Sequence, residues 1–200
     1  MPRTRGLRIG GRRLPYTASE KVRPTMGMVR LAIFNIVGPK IADARFLDLF
    51  AGTGSVGIEA LRLGARSATF VEERTECCRI IRRNLELLGL ESKAVVVRAS
   101  VLRYLTSARD REQEFDVIFL DPPYDRGLVE KTVRKLCDSS GSLLAPGGLI
   151  LVQHSRREPV KKDSLPAAEM LSEVKEYIYG DTRLTLIRQA GNLCRRPTDD

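Results

Sequence analysis

Two hundred residues, 42% of them hydrophobic and none tryptophan, suit one main domain with a sizeable core and a short appendage. The formal net charge is +9, and residues 1–24 alone hold seven basic side chains (Arg3, Arg5, Arg8, Arg12, Arg13, Lys21, Arg23) against one acid, Glu20, which reads as a phosphate-contacting arm. No apolar run approaches the roughly 20 residues of a membrane span, no signal core follows the arginines, and the four cysteines lack C-x-x-C spacing, so the expectation is a soluble cytoplasmic protein with no metal site and no disulfide framework.

In chain order, the first feature is "LRIGGRRLP", where Gly10-Gly11 between short alternating runs predicts a hairpin. An apolar helical pattern follows from Met28 to Val37 and stops at Gly38-Pro39. From residue 45, short β-rich runs alternate with helix-period segments, the pattern of a parallel sheet with crossover helices. The predicted strands are 45–49, 68–72, 94–98, 115–121, 148–154, 174–179 and 184–188. Cys77, Ile80, Ile81, Leu85 and Leu88 mark a helix closed by Gly89, with Arg79, Arg82 and Arg83 on or near its solvated face. Only Gly180 and Asp181 separate the last two strands, which is hairpin spacing, so the sheet should end in an antiparallel pair. The tail 191–200 reads as frayed.

After the first strand of the main domain comes "LDLFAGTGSVG", with Gly52, Gly54 and Gly57 in G-x-G-x-x-G spacing. Such a turn brings a ligand close to backbone amides at a helix start, and Glu72, at the end of the next strand, stands where an acid commonly holds ribose hydroxyls. Both features suit a dinucleotide and S-adenosylmethionine (SAM) alike. Asp48 favours SAM, because its carboxylate would repel a pyrophosphate and attract an ammonium or sulfonium. As a buried core aspartate it would need a partner in either case.

The fourth strand of the main domain ends in "FLDPPY". Pro122 and Pro123 have no backbone donors, which leaves carbonyl oxygens and the Asp121 carboxylate as acceptors for an amino group. Tyr124 can stack on a flat base. An exocyclic base amine is a weak nucleophile, and acceptors holding its N–H groups can orient the nitrogen towards a methyl carbon without a metal. His154, the one histidine, is expected to be a structural strand-end residue.

With these motifs the chain resembles the class I SAM-dependent methyltransferases, and more narrowly the RsmD family, bacterial enzymes that methylate guanine N2 in small-subunit (16S) rRNA. The narrower resemblance rests on Gly11-Arg12-Arg13-Leu14, on Arg23-Pro24-Thr25 followed by Val29-Arg30 and Phe34-Asn35, on Phe70-Val71-Glu72, and on Tyr179-Gly180-Asp181-Thr182. It implies an α/β, Rossmann-like class I methyltransferase fold, with a mostly parallel seven-stranded sheet, an antiparallel C-terminal hairpin and a small basic N-terminal extension. Residues 1–40 would be that RNA-binding extension, 41–190 the methyltransferase domain and 191–200 a tail. The resemblance assigns cofactor binding to Asp48, Phe50, Ala51, Gly52, Thr53, Gly54, Glu72 and Ser100. It gives the target guanine to Asp121, Pro122, Pro123 and Tyr124, and rRNA, naked or within small-subunit particles, to Arg3, Arg5, Arg8, Arg12, Arg13, Arg23 and Arg30. The chain departs from the family pattern at Gly27, Ser100 and Gln153, where aspartate, aspartate and glutamate are frequent. A DNA amino-methyltransferase, a protein-glutamine methyltransferase and a non-catalytic RNA-binding assembly factor are the alternatives that share part of this pattern.

Overall fold

Five parallel strands and an antiparallel pair build one sheet in this computed structural model, which describes residues 7–9, 12–14, 27–108, 113–124, 126–137, 143–160 and 171–189. Arg3, Arg5, Arg23 and the tail 191–200 lie outside the described residues, as do the side chains of Arg8, Arg12 and Arg13. The strands are β3 (Arg45–Leu49), β4 (Ser67–Glu72), β5 (Ala94–Arg98), β6 (Phe115–Leu120), β7 (Leu144–Ser155), β8 (Leu171–Tyr179) and β9 (Thr182–Gln189), in the spatial order β5-β4-β3-β6-β7-β9-β8. Ahead of them β1 (Leu7–Ile9) and β2 (Arg12–Leu14) pair antiparallel.

Alternation along the strands sorts the side chains onto two faces. Phe46, Phe70, Val117, Phe119, Leu149 and Leu151 pack under α1 (Gly27–Val37), α2 (Ser55–Arg62) and α3 (Thr75–Leu88). Leu47, Leu49, Val71, Ile118, Leu120, Ile150 and Val152 pack under α4 (Val101–Ala108) and α5 (Leu128–Cys137). Coverage of both faces explains why these strands read as nearly continuous apolar runs. Helix α1 contributes Val29, Ala32, Ile33 and Val37 to the first core, so the segment that follows the basic arm is rooted in the same interior as the sheet.

Among the strand limits that differ from the sequence expectation, three have a local reason. β7 starts at Leu144, where Leu144 pairs with Phe115, and the register is broken before Leu149 resumes opposite Val117. Pro146 and Gly147, the latter at φ 69°, lie in that irregularity, so a stretch that reads as a turn is a bulged strand. β8 starts at Leu171 and carries its own irregularity before Glu173. β6 stops at Leu120, so Asp121 stands just beyond the strand, with its N–H 3.4 Å from the Leu49 carbonyl of β3.

Candidate active site

β3 and β6 are adjacent, and the connections run from β3 towards β4 and β5 on one side and from β6 towards β7 on the other. Carboxyl strand ends at such a reversal form the usual ligand crevice of an open α/β sheet. Asp48 and Glu72 lie there on the face covered by α1, α2 and α3, following Phe46 and Phe70 at every second position. Asp121 follows Phe119 in the same way. The three strand ends thus converge their acids.

The loop between β3 and α2 is shaped by backbone geometry. Phe50, Gly52 and Gly54 take φ values of 60°, 56° and 76°, in the left-handed region where a non-glycine residue such as Phe50 is uncommon. Gly54 then serves as the N-cap of α2 with no side-chain cap bond. Inside the first turn, the Gly57 N–H donates to Asp48 Oδ2 at 2.9 Å. A Cβ at Gly57 would stand 2.4 Å from Phe70 Cε1 and 3.0 Å from that same Asp48 oxygen, so the helix can approach the strand this closely only with glycine there.

Glu72, 5% exposed, braces the loop from the second strand. Its Oε2 accepts the Gly52 N–H at 2.8 Å, while Oε1 accepts the backbone and Nε N–H groups of Arg74 at 2.9 and 3.1 Å. From α3, Asn84 donates Nδ2–H to the Thr53 carbonyl at 3.5 Å, and Ile81 lies against Gly54. Gly57, Arg74 and Asn84 are supports that the sequence reading did not assign, since each acts through a bond to a residue on another segment.

Asp48 is 2% exposed, and burial raises its pKa well above the ordinary carboxyl value; the Gly57 N–H opposes that rise, and the charges of Asp121 and Glu72 add to it. Burial likewise pushes Asp121 up to about 7. Neither acid forms an ion pair with a basic side chain among the described residues, whereas Glu72 is paired with Arg74. The cluster therefore holds more acid than base, which fits a cationic ligand and disfavours a phosphate. One of the amides at the helix start, that of Gly57, is already bonded to Asp48.

Of the remaining expected residues, Ala51 and Thr53 lie half-buried in the loop and Ser100 is exposed after β5. Pro122 is buried, Pro123 exposed and Tyr124 half-buried, so Asp121 leads directly from the acidic cluster to the surface. Arg30 lies half-buried on α1. His154 is fully buried on the opposite face, with Nε2 2.7 Å from Thr185 Oγ1 and Nδ1 3.0 Å from the Ser155 carbonyl, and burial lowers its pKa. It is a structural residue.

A sequence model of the family described as Conserved hypothetical protein 95 matches residues 5–188. The Haemophilus influenzae protein Ribosomal RNA small subunit methyltransferase D is 37% identical over 151 residues, which span 75% of this chain and 77% of that one. Among solved structures, the Escherichia coli yhhF protein superposes with a TM-score of 0.76 at 32% identity, over 91% of this chain and 94% of its own. RsmC of Thermus thermophilus, a 16S rRNA guanine N2 methyltransferase solved with AdoMet and guanosine, shares the fold at a TM-score of 0.70 and 20% identity, over 92% of this chain and 49% of that one. The seven-stranded sheet with its antiparallel end, the carboxylates at the reversal and these relatives lead to one conclusion: the chain belongs to the RsmD family of class I SAM-dependent methyltransferases.

Proposed function

We propose that this protein transfers a methyl group from SAM to the exocyclic N2 amine of a guanine in small-subunit rRNA. The observation that carries the reading is the junction of the Asp48–Glu72–Asp121 cluster, in which Asp48 and Glu72 are buried and Asp121 half-buried, with Pro122, Pro123 and Tyr124 at one strand end. When bound, SAM supplies the activated methyl group and the sulfonium leaving group. Asp48, the loop from Phe50 to Gly54, Glu72 and Ser100 hold it, with Asp48 and Glu72 matching its positive charge.

Asp121 accepts an N–H from the target amine and turns the nitrogen towards the methyl group, assisted by the Pro122 carbonyl. Pro123 rigidifies the turn and Tyr124 supports the base by stacking, which requires the guanine to leave its own stack. The amine is able to lose its proton after transfer, so no strong base is needed. Residues 1–40 serve as the RNA-binding extension, with Arg3, Arg5, Arg8, Arg12, Arg13, Arg23 and Arg30 on phosphates, and 41–190 as the methyltransferase domain. Support for that role comes from the charge of the arm and from β1, which lies beside α2, the helix that follows the cofactor loop. The reaction takes place in the cytoplasm, on small-subunit rRNA, naked or within small-subunit particles.

The direct test is methyl transfer from labelled SAM to small-subunit RNA, naked and in assembled particles, with nucleoside analysis of the product. N2-methylguanosine at one position is the expected outcome. SAM binding without label in either substrate would sink the reading.

A further inference from the structure

Gln153 lies near the end of β7, 6% exposed, and its Oε1 accepts no hydrogen bond among the described residues. A buried amide oxygen without a donor has lost the hydrogen bonds that water would give it, so a well-packed interior does not keep it for stability. Its place in the sheet is specific. Leu149 and Leu151, two and four residues earlier, belong to the core under α1, α2 and α3, so Gln153 lies on the face that carries Asp48, Glu72 and Asp121. Leu120 of β6 pairs with Val152 of β7 in parallel register, and one step beyond that pair stand Asp121 and Gln153. Adjacent strands run about 4.8 Å apart, which sets the two side chains next to each other at the carboxyl edge.

Guanine presents two neighbouring donors on its Watson–Crick edge, the N2 amine and N1–H. Adenine and cytosine present a ring acceptor next to their amine. Two neighbouring protein acceptors therefore suit guanine, whereas either other base would require the Gln153 amide to turn its NH2 group forward. We infer that Gln153 is a positioning and specificity residue that accepts the guanine N1–H while Asp121 holds the N2 amine. This inference rests on the guanine-N2 reading above and adds the group that identifies the base.

The test compares wild type with Gln153→Met, which keeps length and removes the acceptor, and Gln153→Glu, which restores one. Each is measured for kcat and KM on small-subunit RNA, SAM affinity by calorimetry and thermal midpoint. Gln153→Met should lower kcat/KM for RNA by roughly ten- to a hundredfold, the size of an unpaired buried donor, with SAM affinity and melting near wild type. Gln153→Glu should recover most of that loss, and it also keeps the question open to measurement if the Met variant melts early. An unchanged kcat/KM in the Met variant, a fall in SAM affinity that accounts for the loss, or a Glu variant no better than Met would each overturn the role of Gln153. If the wild type itself binds SAM and forms no N2-methylguanosine, the underlying reading fails and this inference falls with it, an outcome distinct from the other three.

Discussion

Asp121 is an acid of the candidate site that titrates near neutrality. Burial holds its pKa at about 7, so the carboxyl is protonated below that pH and becomes a full acceptor above it. Turnover at saturating SAM and RNA should climb between about pH 5 and pH 8 and level off, and Asp121→Asn should both lower it and flatten the profile. A wild-type profile without that limb would remove Asp121 from the reacting group. The same shift bears on stability with a definite sign: the folded state holds the proton more tightly than an unfolded chain, whose aspartates titrate near 3.9. The protein without ligand therefore loses stability as pH rises from the ordinary carboxyl range through about 7, and no more above it. Asp48 acts in the same direction. Both acids were legible in the sequence because each sits in a motif of fixed spacing. Asn84, Gly57 and Arg74 were not legible as supports, for a buried asparagine on a helix or a glycine in a repeat gains its role only when another segment folds against it.

The N-terminal arm is a prediction about an element and not about any one arginine. Removing residues 1–24 takes away seven basic groups and one acid, and it should weaken RNA binding across sequences. The slope of log affinity against log salt should fall by roughly one for each phosphate that the arm neutralises. An unchanged slope in a titration of RNA binding over salt concentration would assign the phosphate grip to another surface. The Gly10-Gly11 turn and the apolar stripe of α1 disclosed these elements in the sequence itself. The start of β7 did not show itself, because Ala145-Pro146-Gly147-Gly148 has the composition of a turn, and only the pairing of Leu144 with Phe115 makes it strand. The hairpin between β8 and β9 was the opposite case, since two intervening residues leave no room for any other connection.

At the scale of the molecule, the acids come from three strands whose order in space differs from their order in the chain, so the cluster exists only when the sheet is complete. The fold class was readable because both faces are covered and the parallel strands are mostly apolar, whereas the pairing of Leu120 with Val152, one step short of Asp121 and Gln153, depends on a register that no run of residues encodes. Cofactor and fold are then linked through charge. SAM at about a hundred times its dissociation constant should stabilise the protein by about 2.7 kcal/mol, visible as a raised melting temperature. Because a bound cation must displace a proton from Asp121 at low pH, that increase should be larger above about pH 7 than below it. An equal increase on both sides would mean that the cluster does not receive the positive charge.

The bond between the Gly57 N–H and Asp48 also limits how such a site could be redesigned or could have changed its cofactor in descent. Removing the aspartate to admit a phosphate would orphan a buried amide, and adding a side chain at Gly57 to compensate would strike the Phe70 ring in the core. A switch of ligand thus cannot be made by exchanging the loop alone. It requires simultaneous changes in a strand, a helix and the aromatic residue between them, and this fold's preference for a positively charged cofactor is correspondingly hard to reverse by single steps.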